Sequence, residues 1–412
     1  MWAHESLVVM PTTSVGMAPG VGMAPDRQPT RDPKMTLRPL LVFGTRPEAV
    51  KMAPLVWECQ RRCQEVQATV CLTGQHRELL AQVTADLGIR GDIELDAMTP
   101  DQTLAGLSAR LIERLDEVLV RLRPDCLVAQ GDTTTVMAAS LAAFYRRIPL
   151  VHVEAGLRTG NLNAPWPEEL NRRIADLTAS LCCAPTQRAA ECLLAEGVRR
   201  EAVHVTGNTG IDALLATLQR QRAAPAAWAE KYGWLGQRPM VLITGHRRES
   251  FGRGLQDICQ AVATLADRFP ECRFIYPVHL NPNVQETVRR ALGDRPNLQL
   301  ADPAGYAEFV WLMDRSTLIL TNSGGVQEEA PSLGKPVLVM RETTERPEVV
   351  EAGGAILVGT SVEAIVAGAT RLLTDPAAYA ACQLDHNPYG DGHAGERIVE
   401  LMLRQIRGGE SS

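Results

Sequence analysis

From position 37 onward, short apolar runs alternate with longer stretches in which apolar side chains return every third or fourth position. An unbroken apolar run suits a strand covered on both faces, and a 3.6-residue period suits a helix lying across such a sheet. Their alternation predicts parallel sheets with crossover helices. In the first half the strand-like runs are 40–43, 69–72, 126–129, 150–153 and 203–205, with helices expected over 48–62, 102–122, 135–146 and 168–180. The second half repeats the theme with runs at 241–244, 273–276, 298–300, 318–320 and 336–339. With 412 residues, the chain is also longer than the roughly 250–300 residues one core usually serves. The expectation is an α/β fold of two Rossmann-like, doubly wound domains. One covers 36–207 and the other 208–392, and an amphipathic helix at 393–408 crosses back to join the first.

Residues 1–35 carry many Pro, Gly and Met, with the echo Gly16-Met17-Ala18-Pro19 and Gly22-Met23-Ala24-Pro25. They hold too little apolar surface to order themselves, and are read as a disordered extension or an upstream artefact with Met35 as a candidate start. The formal charge of -6 argues against a nucleic-acid surface, which needs a basic excess. An anionic ligand would need a local basic cleft instead. No apolar run approaches the ~18 residues of a membrane span, and the first residues lack a secretory signal's basic start and apolar centre. The ten cysteines show no C-x-x-C pair and lie in apolar surroundings, as core thiols of a reducing compartment do. A cytoplasmic protein without metal or membrane partner is expected.

In open parallel sheets, ligands bind beyond the carboxyl ends of the strands. Five loops there are rich in reactive side chains. Gly44-Thr45-Arg46-Pro47-Glu48, with Lys51 following, combines a turn, a helix start and two cations suited to a diphosphate. In Gly131-Asp132-Thr133-Thr134-Thr135, capping the next helix explains one polar residue; Asp132 is either that cap or a group that accepts a proton or orients a base. His152-Val153-Glu154-Ala155-Gly156-Leu157-Arg158 ends a buried strand on a carboxylate, which is costly unless paired or functional. Glu168 and Glu169 open a helix, where negative charge is favoured in any case, so a catalytic and a purely structural role stay open for them. Thr244-Gly245-His246-Arg247-Arg248-Glu249 puts a basic cluster at a strand end, an anion site with His246 as a diphosphate partner. In Thr321-Asn322-Ser323-Gly324-Gly325-Val326-Gln327-Glu328-Glu329, bare N–H groups suit a phosphate, and Glu329 suits ribose hydroxyls. No G-x-G-x-x-G follows a strand, so bound NAD is not expected, nor any other cofactor.

Together these stretches, in this order from Leu37 to about Ile406, resemble the non-hydrolysing UDP-N-acetylglucosamine 2-epimerases. The resemblance implies the glycosyltransferase-B architecture, two domains facing a central cleft, and a homodimer. It implies acid and base roles for Asp132, Glu154 and Glu168, with His246 and Arg46 at the diphosphate. It further implies Ser323, Gly324 and Glu329 at the nucleotide, with Gly325 in the same loop, Phe309 against uracil and Arg346 nearby. Some members bind a second UDP-N-acetylglucosamine as activator; the matching positions are Gln75, Glu78, Arg110, Arg248 and His279. Glu78 stands where some members carry Gln, while Gln130 and Asn322 replace a common His and Asp.

The reaction so implied inverts carbon 2 of UDP-N-acetylglucosamine to give UDP-N-acetylmannosamine, through loss and return of UDP. Rival readings are a hydrolysing 2-epimerase that releases N-acetylmannosamine and UDP, a glycosyltransferase of the same architecture, and a non-catalytic sugar-nucleotide sensor. A sensor has no need for three cleft carboxylates.

Overall fold

The sequence Pro-Leu-Leu-Val-Phe of β1 (Pro39–Phe43) is buried at all five positions, as a central strand covered on both faces must be. The computed structural model describes residues 36–74, 77–99, 102–224, 228, 230–245, 253–278 and 282–408. The expectation for residues 1–35 lies outside them. The further strands of the first half are β2 (Thr69–Leu72), β3 (Ile93–Glu94), β4 (Cys126–Gln130), β5 (Leu150–Val153), β6 (Leu181–Ala184) and β7 (Val203–Val205). They form one parallel sheet in the order β3-β2-β1-β4-β5-β6-β7. The second half supplies β8 (Met240–Thr244), β9 (Arg273–Pro277), β10 (Leu298–Ala301), β11 (Leu318–Thr321), β12 (Val337–Val339) and β13 (Ala355–Leu357). Their parallel sheet runs β10-β9-β8-β11-β12-β13.

Helices cover both sheets. In the first half they are α1 (Arg46–Arg61), α2 (Arg77–Asp86), α3 (Leu104–Leu122), α4 (Thr134–Tyr145), α5 (Glu168–Thr178) and α6 (Gln187–Ala195), followed by α7 (Thr209–Ala223). Then come α8 (Arg253–Arg268), α9 (Pro282–Leu292), α10 (Tyr306–Arg315), α11 (Gly324–Glu329), α12 (Pro347–Glu351), α13 (Val362–Thr374), α14 (Pro376–Ala381) and α15 (Ala394–Met402). None is long and apolar enough to cross a membrane, among the described residues.

Three strands were not anticipated. β3 is two residues long, β6 is the Leu-Cys-Cys-Ala run read only as core cysteines, and β13 follows Gly353-Gly354 in a turn-rich stretch. Helix starts moved by one or two residues where a threonine caps. Thr103 Oγ1 accepts from Gly106 N at 3.1 Å, so α3 begins at Leu104, and Thr133 caps α4.

Each sheet reverses its winding once, between β1 and β4 and between β8 and β11. Such a switch point parts the loops at the strand ends and leaves a crevice for a ligand. The chain passes from one sheet to the other at Gly207-Asn208 and returns beside it, Asn208 N donating to Tyr389 O at 2.7 Å. Gly207, at φ +91, faces the Cα of Gly390 so closely that a side chain would fill the gap. Helix α7 packs against α1 and α15 on one side and α10 and α11 on the other. Ile398, Val399 and Met402 of α15 belong to the core cluster of Leu41, Phe43 and Leu55, so the last helix is part of the first sheet's cover.

Candidate active site

The loop after β1 is built as a reciprocal helix cap. Thr45 caps α1, and Glu48 Oε2 accepts from Gly44 N and Thr45 N, both at 2.8 Å, and from Thr45 Oγ1 at 2.9 Å. Its Oε1 takes Thr133 Oγ1 at 2.6 Å, which pins the loop of β1 to that of β4. Burial pushes the Glu48 carboxyl up against the pull of these bonds. A side chain on Gly44 would collide with Thr73 Oγ1, so this approach requires glycine. Arg46 at the start of α1 is exposed, whereas Lys51, one turn further, is turned inward.

Lys51 is the centre of a buried cluster that joins the two halves. Its Nζ lies 2.7 Å from Glu154 Oε2 and 3.3 Å from Glu328 Oε2. Glu154, directly after β5, sits at φ 65, a left-handed conformation that costs a residue with a side chain about 1–3 kcal/mol and gathers at functional sites. Gln130 at the end of β4 donates its amide to the same Glu154 oxygen. Glu328, 3% exposed, receives Arg346 Nε at 2.5 Å and Asn208 Nδ2 at 2.8 Å. Two carboxylates and two cations make the buried group neutral, and the partly exposed Glu345 adds an ion pair to Arg346 Nη1 at 3.2 Å. Burial works against Lys51 and Arg346, yet the adjacent carboxylates hold both above their ordinary values; burial likewise works against Glu328, and Lys51 and Arg346 hold it below.

Asp132 stands at the end of β4, next to the end of β5. Because Thr133 caps α4, the Asp132 carboxylate is free to pair with Arg172 of α5, and Asn171 Nδ2 holds its carbonyl at 2.9 Å. The two glutamates that open α5 differ. Glu169 is fully buried, receiving Thr159 N at 3.2 Å and Gly160 N at 3.3 Å and pairing with Arg172 and Arg173. Glu168 is half-buried, and among the described residues its side chain makes no hydrogen bond.

In the second half, Ser323 N donates to Thr321 Oγ1 at 2.9 Å, and its hydroxyl does not cap α11. Gly324 and Gly325 follow, with open space where a side chain on Gly325 would be. Burial, then the charge of Glu328, pushes Glu329 up to about 8. Tyr306, which starts α10, has a buried hydroxyl without a hydrogen-bond partner among the described residues, and Phe309 is half-buried on the same helix.

Arg110 is engaged by its own neighbourhood, Nε donating to Ala97 O at 3.1 Å and Nη2 to Gln102. His246, Arg247, Arg248, Gln75 and His279 lie outside the described residues, as does the side chain of Glu78. The structure thus gathers Lys51, Glu154, Glu328 and Arg346, and joins Asp132 to α5. Glu328 and Arg172 were not singled out from the sequence. The available signals were a second acid beside Glu329 and a basic residue one turn after Glu168 and Glu169.

A family profile described as UDP-N-acetylglucosamine 2-epimerase matches residues 58–403. The chain is 53% identical over 367 residues to a probable UDP-N-acetylglucosamine 2-epimerase of Ralstonia nicotianae, which spans 88% of this chain and 98% of the relative. Against the UDP-N-acetylglucosamine 2-epimerase of Escherichia coli it is 50% identical over 370 residues, 89% of this chain and 98% of the relative. The crystal structure of UDP-GlcNAc 2-epimerase from Neisseria meningitidis bound to UDP-GlcNAc is similar with a TM-score of 0.85 at 44% identity, covering 90% of this chain and 100% of that one. The Methanocaldococcus jannaschii enzyme in complex with UDP-GlcNAc and UDP follows at 0.74 and 30% identity, covering 89% and 99%.

Proposed function

The chain belongs to the UDP-N-acetylglucosamine 2-epimerase family, and on that premise we propose that Asp132, Glu154 and Glu168 carry the proton transfers of a carbon 2 inversion. The protein is an isomerase that interconverts UDP-N-acetylglucosamine and UDP-N-acetylmannosamine by elimination and re-addition of UDP, in the glycosyltransferase-B-like two-domain arrangement of its relatives. One observation carries the residue assignment. Lys51 bridges a carboxylate at the first sheet's strand end to Glu328, in the loop proposed for the nucleotide.

The hydrogen on carbon 2 has no adjacent carbonyl and is not acidic. As the bond from carbon 1 to the diphosphate oxygen breaks, UDP leaves with the electron pair and positive charge develops at carbon 1. A carboxylate then takes the carbon 2 proton, and the carbon 1 to carbon 2 double bond forms. A carboxylic acid on the other ring face returns a proton to carbon 2, and UDP oxygen rejoins carbon 1. Each proton transfer by a placed side chain is worth about 100 to 10,000-fold. Arg46 and His246 are assigned to the leaving diphosphate, where cations oppose the developing charge. Ser323, Gly324 and Gly325 are assigned to phosphate, Glu329 to ribose, Phe309 to uracil, and Arg247 and Arg346 to the same anionic ligand. Epimerisation in heavy water is expected to place deuterium on carbon 2, and epimerised product without label excludes the route.

The unliganded Glu329 carboxyl keeps its proton up to about pH 8, and only the ionised form accepts from both ribose hydroxyls. UDP affinity is therefore expected to rise as pH climbs through about 8 and to level above it, a rise that Glu329→Gln removes. Calorimetric titration of both proteins checks this; equal pH slopes would take Glu329 away from the ribose. A cytosolic location is supported by ten free thiols, nine of them wholly or partly buried, and cell fractionation tests it.

A further inference from the structure

Beneath the Asp132 loop lies a buried histidine that the proton transfers do not use. His152, in β5, has no exposed surface, and both ring nitrogens are engaged. Nδ1 is 2.6 Å from Asp176 Oδ1, and Nε2 is 2.7 Å from the carbonyl oxygen of Gly131. A carbonyl oxygen only accepts, so Nε2 must carry a proton. Asp176 is an ionised acceptor, since its other oxygen takes Arg158 Nη1 at 2.8 Å and Gly156 N at 3.3 Å. Nδ1 therefore carries a proton too, and the ring is an imidazolium. Burial pulls its pKa down, but Asp176 and the Gly131 carbonyl together hold it above the ordinary value.

A buried ion pair is weak evidence for stability, because apolar residues of similar size often serve as well. What this pair does locally is hold one peptide. Gly131, at φ +83, is fixed at its nitrogen by Val153 O at 3.0 Å and at its carbonyl by His152 Nε2. The next residue is Asp132, whose carbonyl is held by Asn171 and whose carboxylate is held by Arg172. We propose that His152 is a positioning residue for the epimerisation, its Nε2–H fixing the Gly131 carbonyl so that Asp132 presents its carboxylate to the sugar ring. The proposal rests on the assignment of Asp132 to proton transfer.

Two amide replacements separate the ring's two ends. The amide nitrogen of Gln falls near the position of Nε2 and can still donate to Gly131, whereas that of Asn falls near Nδ1 and reaches only Asp176. His152→Asn is expected to lose about a hundredfold in kcat, the cost of a reacting group misplaced by about 1 Å, and His152→Gln less than about tenfold. KM for UDP-N-acetylglucosamine stays close to that of the parent in both, and both lose Tm to a similar extent. Equal loss of kcat in the two variants, tracking Tm, would overturn the proposal. Asp132→Asn is measured alongside. If it keeps normal turnover, the Asp132 assignment falls and the inference with it; if it is inactive while His152→Asn turns over normally, only the inference falls. Should neither histidine variant fold, the ¹⁵N-histidine spectrum of the unaltered protein still decides. A protonated Nε2 shielded from exchange is expected, and an Nε2 without a proton refutes the role.

Discussion

Replacing Glu154 with Gln is expected to lower kcat by about 100 to 10,000-fold, the usual worth of a placed acid or base, while UDP still binds at close to parental affinity. The variant keeps the size of the side chain and an oxygen able to accept from Lys51 and Gln130, so these contacts survive, while the lost charge costs stability as it does at Glu328. What it loses is the ability to take a proton. Glu154 stands directly after β5 with a left-handed backbone, while the loop proposed for the nucleotide begins after β11 in the other sheet. Nucleotide affinity and proton transfer therefore separate, and UDP calorimetry beside an epimerisation assay reads each. Weak UDP binding together with an unchanged maximal rate would contradict the role.

The sequence makes the strand-end loops conspicuous, because a polar residue terminating an unbroken apolar run is anomalous wherever it occurs. Glu154 after 150–153 and Thr321-Asn322-Ser323 after the 318–320 run are of this kind. The same logic misses β6, whose short Leu-Cys-Cys-Ala run ends on Pro185 and carries no charged side chain to mark it, and the two-residue β3. Local pattern also left two roles open that contacts now distinguish. Thr133 supplies the cap that Asp132 was the alternative candidate for, and Glu169 rather than Glu168 is consumed by structural ion pairs. Least legible were the partnerships. Its place after a strand end marks Lys51 as a cation for diphosphate, and in the structure it meets Glu154 and Glu328, 103 and 277 positions away. No period or spacing encodes such a meeting; it follows from two sheets placing their strand ends toward one another. Nor does His152 stand out, since a histidine within an apolar run is usually a satisfied core residue.

Lys51→Met and Glu328→Gln are each expected to destabilise the fold by about 3–5 kcal/mol, because each leaves an uncompensated charge in a buried group. Without Lys51, Glu154 and Glu328 keep Arg346 as their remaining cation, which Glu345 also engages; without the Glu328 charge, Lys51 and Arg346 keep Glu154 and the partly exposed Glu345. The double variant removes one charge of each sign, so the balance of the parent cluster returns. Its loss is expected to fall short of the sum of the single losses by about 0.5–3 kcal/mol, the coupling seen between contacting residues. The pH window follows from the shifts. Glu328 is held below 4.5, so its contribution is present above that pH and lost as acid approaches its folded value. Lys51 is held above 10.5, so its contribution persists below that pH and is lost only in stronger base. Between these limits the penalties should change only where Glu329 ionises, at about pH 8, because burial and then the Glu328 charge raise that carboxyl while Lys51 lowers it. Denaturation midpoints of the four proteins measure the cycle, and strictly additive losses would mean that Lys51 and Glu328 do not share one network. Turnover should not recover with stability. The double variant still denies Glu154 the ammonium that holds its carboxylate, so the fold regains its balance while Glu154 remains without its partner.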